Sequence, residues 1–290
     1  MVKHEFEQPI SITDICSGLD LQFSGYSRGP AAYNTNSDLI YLSGEERLTI
    51  IMDGFGPDTE GVNRKALNLI RNGLNRIKAG DVEKVRKEMG EVLFKSSNTL
   101  ARRLKGVGGL SVVAVKYVST PYLRTAVFGW LGKARLYSDD RGIYQPLTID
   151  DTYELAYEDR EEARGAMWAL DYTKDPEKLE PLSRIRQIWN ESPSMPPYRY
   201  LGKANLDSVY VNLAPIFPGT KLLLATIGLY RNLTAREIRN ILRTESDPAK
   251  SLVEFAWERS QNPANKRANR NTDISTIVVE EKTIGTGARR

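Results

Sequence analysis

Three aspartates stand at or beside the ends of apolar runs: Asp38 in NSDLIYL, Asp53 in RLTIIMDGFG and Asp273 in NTDISTIVV. Carboxylates carried to one edge of a sheet can converge on a hard divalent cation, since Mg²⁺ and Mn²⁺ prefer oxygen ligands and keep several waters. Gly54 belongs with them: it carries no Cβ, so the backbone carbonyl beside Asp53 can approach such an ion closely. Each aspartate alone is a weak signal, because turns favour Asp for the hydrogen bonds it makes to its own backbone. Competing chemistries lack parts. His4 is the only histidine and sits in the N-terminal segment, which argues against Ser-His-Asp, Cys-His and multi-histidine metal sites. Cys16 is the only cysteine, so the chain can build neither a disulfide framework nor a cysteine-held zinc site. Any catalysis falls to carboxylates, lysine, hydroxyls or an oxygen-held metal.

The elements that must position these residues follow from periodicity. RLTIIMD (47–53) reads as a strand running into the turn DGFGPDTEG. A helix follows in which Ala66, Leu69, Ile70, Leu74 and Ile77 recur at helical spacing, and a second, about 81–104, carries Val85, Met89, Val92, Leu93 and Leu100. Two such helices in succession are expected side by side over a sheet. LSVVAVKYV and RTAVFGWLG are strands rich in β-branched residues, and KARLYSDDRGIYQPLT reads as a hairpin turning at Asp140 and Arg141, so an antiparallel meander is expected. Residues 149–199 read as an inserted helical and loop subregion, with Trp168 and Trp189 as core anchors. DSVYVNL (207–213), KLLLAT (221–226) and STIVVEE resume the sheet. Thr234 and Glu237 fit a capping box, and Asp247 before Pro248 fits an N-cap with proline at the first helical position. One stretch, KLLLATIGLYRNLTAREI, lacks an expected group. A buried strand ending in a turn before a helix is a usual place for a ligand-binding carboxylate, yet Ile227 stands at that turn.

Length and composition set the outer bounds. At 290 residues, 40% hydrophobic and 27% charged, the chain can bury a large core, and the pattern of strands grouped with helices reads as one α+β domain over 25–281. A segment 1–24 precedes it and a basic tail, 282–290, follows. With no leader-like start and no apolar run long enough to span a bilayer, the expectation is a reducing, cytoplasmic setting without membrane contact. The net charge of +4 comes from 41 basic and 37 acidic residues interspersed along the chain, which argues against a nucleic-acid partner. The exception is NPANKRANRNT, where Lys266, Arg267 and Arg270 could meet phosphate, and a polyanion-binding module is one class of function kept open.

The order of these segments resembles the metal-dependent protein phosphatases of the 2C type, the PPM family, from about Gly25 to Glu280. NSDLIYL resembles the family's Asn-Glu-Asp segment and IIMDGFGPDTEG its Asp-Gly-x-Gly-Gly turn. GVGGLSVVAV is similar to its Gly-Thr-Thr strand, and FGWLGKARLYSDDRGIYQPLTIDDT to its Gly-Asp-Ser-Arg hairpin with a Leu-Thr-x-Asp ending. YLGKANLDSVYV, PGTKLLLATIGLYRNLTAREI and NTDISTIVVEE resemble the Leu-Gly segment, the Pro-Gly-Asp, strand, Asp-Gly-Leu, helix unit and the closing Asp-Asn-x-Thr strand. The resemblance implies a four-layer αββα sandwich with a two-metal site at one end, where water between two ions attacks a phosphomonoester. Asp38, Asp53, Gly54 and Asp273 would be its metal-site and catalytic residues and Arg28 its phosphate-binding arginine.

Set against that pattern, the metal signals erode while the fold signals persist. Ile227 stands where the family carries a metal-binding aspartate, and Arg231 where a second acid commonly follows. Ser37 replaces a glutamate, Pro57 a glycine, Gly109 and Leu110 the two threonines, Lys133 the hairpin aspartate and Ile274 the asparagine. Losing a direct ligand while gaining a nearby cation weakens the hold on divalent ions, leaving a weak Mg²⁺ or Mn²⁺ site, with one ion or none. The leading expectation is a pseudophosphatase, or a very weak phosphatase, that binds a protein partner or a phosphoprotein. The alternative is an active Mg²⁺- or Mn²⁺-dependent serine/threonine phosphatase.

Overall fold

The computed structural model describes residues 9–16, 18–30, 36–56, 59–78, 80–106, 108–121, 123–141, 143–152, 197–262 and 272–281. His4, Pro57, Trp168, Trp189, Lys266, Arg267 and Arg270, most of the expected insertion at 149–199, and the tail 282–290 lie outside the described residues.

Eleven described strands form two antiparallel sheets. The first has the order β1 (Ile10–Cys16), β2 (Leu21–Arg28), β11 (Ile274–Glu281), β10 (Lys221–Ala225), β7 (Arg135–Asp140) and β8 (Ile143–Pro146). The second runs β3 (Asp38–Ser43), β4 (Leu48–Phe55), β5 (Gly109–Ser119), β6 (Arg124–Leu131) and β9 (Tyr210–Ile216). Helices α1 (Thr59–Asn75) and α2 (Val82–Leu104) cover the second sheet. Helices α3 (Ile227–Asn232), α4 (Ala235–Thr244) and α5 (Pro248–Gln261) cover the first. The result is the four-layer αββα sandwich.

Alternation along the strands builds these layers. On β10, Leu222 and Leu224 point into the space between the sheets, while Leu223 and Ala225 point to the helices behind. On β5, Val113, Val115 and Tyr117 face the inter-sheet core and Val112, Ala114 and Val118 meet α1 and α2. A side-chain period of two thus makes each central strand apolar on both faces, which is why these segments read as continuous hydrophobic runs. On the helical side Ala66, Ile70 and Leu74 of α1 and Val85, Met89, Leu93 and Leu100 of α2 are buried, as their spacing requires. Each of these side chains larger than alanine contributes about 1.5 to 3 kcal/mol relative to exposure. No described helix is long and apolar enough to cross a membrane.

Four expectations change. The meander is broken: β5 and β6 pair in one sheet, but the chain turns at residues 132–134 and β7 joins the other. The first sheet begins N-terminal to residue 25, with β1 paired to β2 and β2 to β11, so most of the described part of 1–24 is strand. β1 carries a weak pattern because Ser11, Thr13 and the apolar Ile15 all face outward and Asp14 falls on the other face. The strand expected at 207–213 begins at Tyr210 and extends to Ile216. The turn expected at Ile227 is instead the first residue of the six-residue helix α3. The capping box of Thr234 with Glu237 and the Asp247 N-cap before Pro248 form as the sequence requires.

Candidate functional site

The three aspartates meet at one end of the sandwich. Asp38 opens β3 and lies directly across the ladder from Asp53 near the end of β4. Asp273 immediately precedes β11, and its Oδ2 accepts a hydrogen bond from the Ser37 backbone N–H at 2.5 Å and another from the Ser37 hydroxyl. Thr226, the residue after β10, donates its hydroxyl to Asp38 Oδ2 at 2.7 Å and accepts from the Ser275 N–H at 3.0 Å. The next residue supplies the Ile227 N–H, 3.4 Å from Asp53 Oδ2. Strand ends from both sheets and the start of α3 are thereby tied together. Gly228 makes the junction possible: a Cβ there would fall 2.0 Å from the Asp273 carbonyl oxygen, so only glycine lets the first turn of α3 lie against β11.

Charge within the cluster is poorly balanced. Burial, then the carboxylates of Asp53 and Asp273, push Asp38 well above the usual carboxylate range. Burial pushes Asp53 up to about 6, with the Ile227 N–H opposing, Asp273 adding to the rise, and Lys133 and Arg231 pulling it back. Asp273 is also raised by burial, against the Ser37 hydrogen bonds. Asp38 Oδ1 and Asp273 Oδ1 are buried with no hydrogen-bond partner. The Gly54 carbonyl lies 3.4 Å from the Ser37 hydroxyl. Asn63 of α1 donates to the Ser37 carbonyl and leaves its own Oδ1 without a partner.

Around this cluster the surviving cations are held by their own partners. Arg135 makes a buried, two-bond ion pair with Asp150, at 2.7 and 2.8 Å, and stacks 3.7 Å over the Tyr230 ring. The Tyr230 hydroxyl in turn donates to the Lys133 carbonyl, which fixes α3 against the turn between β6 and β7. Arg28 is engaged elsewhere. Its guanidinium pairs with Glu254 on α5 and lies 3.5 Å over the Trp257 ring, so the phosphate role suggested for it meets a side chain already committed to the helical layer. Sequence reasoning missed as site residues Thr226, Asn63 and Asn36, whose Oδ1 accepts from the Asp38 N–H at 3.0 Å. Thr226 had a usable signal, a polar hydroxyl closing an otherwise apolar strand; Asn36 precedes β3 in a segment with no pattern of its own, and Asn63 is a polar residue of α1 that its apolar stripe does not single out.

No protein-family model and no curated protein matches the chain. Solved structures do. PppA, a key regulatory component of T6SS in Pseudomonas aeruginosa, is 19% identical with a TM-score of 0.64, over 90% of this chain and 97% of that one. The PPM Ser-Thr phosphatase MsPP from Mycobacterium smegmatis, in complex with cacodylate, is 18% identical with a TM-score of 0.60, over 89% and 97%. The catalytic domain of the serine/threonine phosphatase PstP, in complex with two manganese ions, is 15% identical with a TM-score of 0.62, over 90% and 97%. The fold is that of the 2C-type protein phosphatases.

Against the pair of manganese ions in the PstP structure, the cluster here sets three aspartates that each already have a protein partner. Among the described residues no group of three or more His, Cys, Asp or Glu side chains is set to hold a metal ion. An apolar side chain, Ile227, occupies the first position of α3, and its N–H occupies one oxygen of Asp53. Ser37 takes up one oxygen of Asp273, and Thr226 one oxygen of Asp38. Lys133 and Arg231 already supply positive charge to Asp53. Gly109, at one of the replaced threonine positions, has also lost its room for a side chain: a Cβ there would lie 2.2 Å from the ring of Tyr200, which packs edge-on against Phe55.

Proposed function

We propose that this protein is a pseudophosphatase, or a very weak phosphatase, of the 2C type that acts by binding a protein partner or a phosphorylated ligand. The observation that carries this reading is the pairing of Asp53 with the backbone N–H of Ile227, where a carboxylate would be needed to hold a second cation. Asp38, Asp53 and Asp273 remain the catalytic and metal-binding candidates, with Gly54 beside them, but each carboxylate spends one oxygen on a protein donor. A raised carboxylate such as Asp53 can accept a proton, but it does not replace two ions that activate water and stabilise the phosphoryl charge together.

The second reading, an active Mg²⁺- or Mn²⁺-dependent serine/threonine phosphatase, draws on the buried, unpartnered oxygens of Asp38 and Asp273, which are groups a cation would satisfy. Hydrolysis of a small aryl phosphate decides between them. With Mn²⁺ the rate is expected to be barely above background and to change little in Asp53→Asn. Robust turnover that needs Mn²⁺ and disappears in Asp53→Asn would establish the second reading. The expectation of a phosphoprotein partner follows either way, because both readings keep the same binding end of the sandwich.

A further inference from the structure

On the outer helical layer α4 and α5 line an open groove of about 440 Å³ whose lining includes none of the residues that touch the aspartates. Its floor is Leu233, Ile241 and Phe255, and Phe255, at 51% exposure, is the most exposed large apolar side chain among the described residues. Glu245 and Glu258 stand on its rim. Among the described residues Arg259 is the one cation that lines the groove, and it is bound by Glu237 at 2.5 and 2.7 Å; Arg243, in the last turn of α4, is bound by Asp139 at 2.9 Å. Glu245 is itself the C-cap of α4, its N–H bonded to the Ile241 carbonyl at 3.1 Å. An acid there adds to the negative end of the helix dipole, where a cation is the stabilising choice.

An apolar floor under a negative rim has one chemical complement. We propose that this groove binds a peptide segment of a partner protein in which a large apolar side chain is flanked by arginine or lysine. The apolar residue would cover Phe255, and the basic residues would reach Glu245, Glu258 and the last carbonyls of α4. The same charges disfavour other occupants. Phosphate-rich surfaces, whether membrane or nucleic acid, would be repelled by the rim. A two-fold contact between copies of this chain, centred on the groove, would set Glu245 and Glu258 near their own counterparts.

The test is fluorescence anisotropy with the whole chain and two labelled nonapeptides. One has a central Leu-Phe flanked on each side by two arginines; the other has glutamate in place of every arginine. The basic peptide is expected to bind saturably and the acidic one not at all. Phe255→Ser should weaken binding about tenfold, and Phe255→Leu much less. Glu245→Gln with Glu258→Gln should weaken it about fivefold at low salt, an effect that fades as salt rises. Glu83→Gln with Glu91→Gln, an equal charge change on exposed positions of α2, should leave it unchanged. Because Phe255 is more than half exposed, its replacement leaves the core intact. Failure of the basic peptide to bind, equal binding of both peptides, or equal loss in the α2 variant would overturn the proposal. A self-association of the protein that Phe255→Ser abolishes would also overturn it, in favour of a second copy.

Discussion

Two clusters of buried charge lie near the same end of the sandwich, and they are built on opposite principles. In one, Asp150 and Asp151 are matched one to one: Arg135 grips Asp150 through two bonds, and Arg199 meets Asp151 at 2.7 Å while lying 3.8 Å over the Tyr210 ring. Asp151 Oδ2 also accepts from the Gly132 N–H at 3.0 Å. In the other, Asp38, Asp53 and Asp273 face one another with two oxygens unpartnered and their acidities all weakened. In the first cluster charge answers charge, and only Arg199 Nε is left without a hydrogen-bond partner. The second is left with an excess of negative charge that a proton, or an ion, must answer. Charges paired inside the chain fix the fold whatever the solution contains, whereas carboxylates without such partners make stability depend on pH and on any cation that binds them.

The sharpest way to break this contrast is to damage the balanced cluster. Arg135→Met removes one partner and leaves Asp150, which is fully buried, without its counter-charge. The expected loss is about 3 to 5 kcal/mol, read from urea unfolding. Arg135→Met combined with Asp150→Leu should recover much of that loss, since replacing both members of a buried pair by apolar groups costs far less than orphaning one. A single variant within 1 kcal/mol of wild type, on the order of an exposed pair, would show that Asp150 is answered by other groups and that the clusters do not differ as described.

Restoring the missing acid to the unbalanced cluster should give the next largest effect. In chelator, Ile227→Asp gives up the burial of a side chain only 8% exposed, about 1.5 to 3 kcal/mol, and adds repulsion from the nearby aspartates. The favourable interaction of an acid with the start of α3 is smaller, about 0.3 to 1 kcal/mol, so loss wins. Mn²⁺ should then raise the melting temperature of Ile227→Asp much more than that of wild type, because an ion bound only by the folded state stabilises it by mass action. Equal shifts in the two proteins would mean that Ile227 does not stand at a metal position.

The two clusters also differed in how far they could be read from the chain. Strand and helix content, the capping box at Thr234 and the three aspartates follow from local rules, because period, cap and turn chemistry act over a few residues. That Asp38 lies across from Asp53 follows once the two strands pair, and the segment order carried it. The ion pairs did not show themselves. Arg199 and Asp151 are 48 positions apart, and nothing local distinguishes a buried arginine from a surface one before the fold brings Tyr210 beneath it. Ile227 as the start of a helix was hidden for a similar reason. A six-residue helix has too few turns to show a period, and it forms because Gly228 can touch β11, Tyr230 donates to the Lys133 carbonyl in the turn between β6 and β7, and Asn232 donates back to the Gly228 carbonyl.

The smallest effect tests the origin of the imbalance through pH. Asp53 is pushed up to about 6, chiefly by burial. For a carboxyl whose pKa is higher in the folded state than in the unfolded chain, the folded state holds the proton more tightly. Stability from this group is therefore complete below the ordinary carboxylate range and is lost as pH rises through about 6. In chelator, wild-type protein should lose stability between about pH 4 and pH 7 from this source, by roughly 1 to 2 kcal/mol once its partial exposure is allowed for. Asp53→Asn cannot ionise, and its side-chain oxygen can still accept from the Ile227 N–H. It should be the more stable protein at pH 7.5 and nearly equal at pH 4, with a flatter profile between. Some slope should survive, because Asp38 and Asp273 are raised as well. Denaturant unfolding across this range measures both curves. If Asp53→Asn is instead the less stable protein at pH 7.5, then Lys133 and Arg231 already neutralise Asp53, and the aspartate cluster is as internally balanced as the ion pairs beside it.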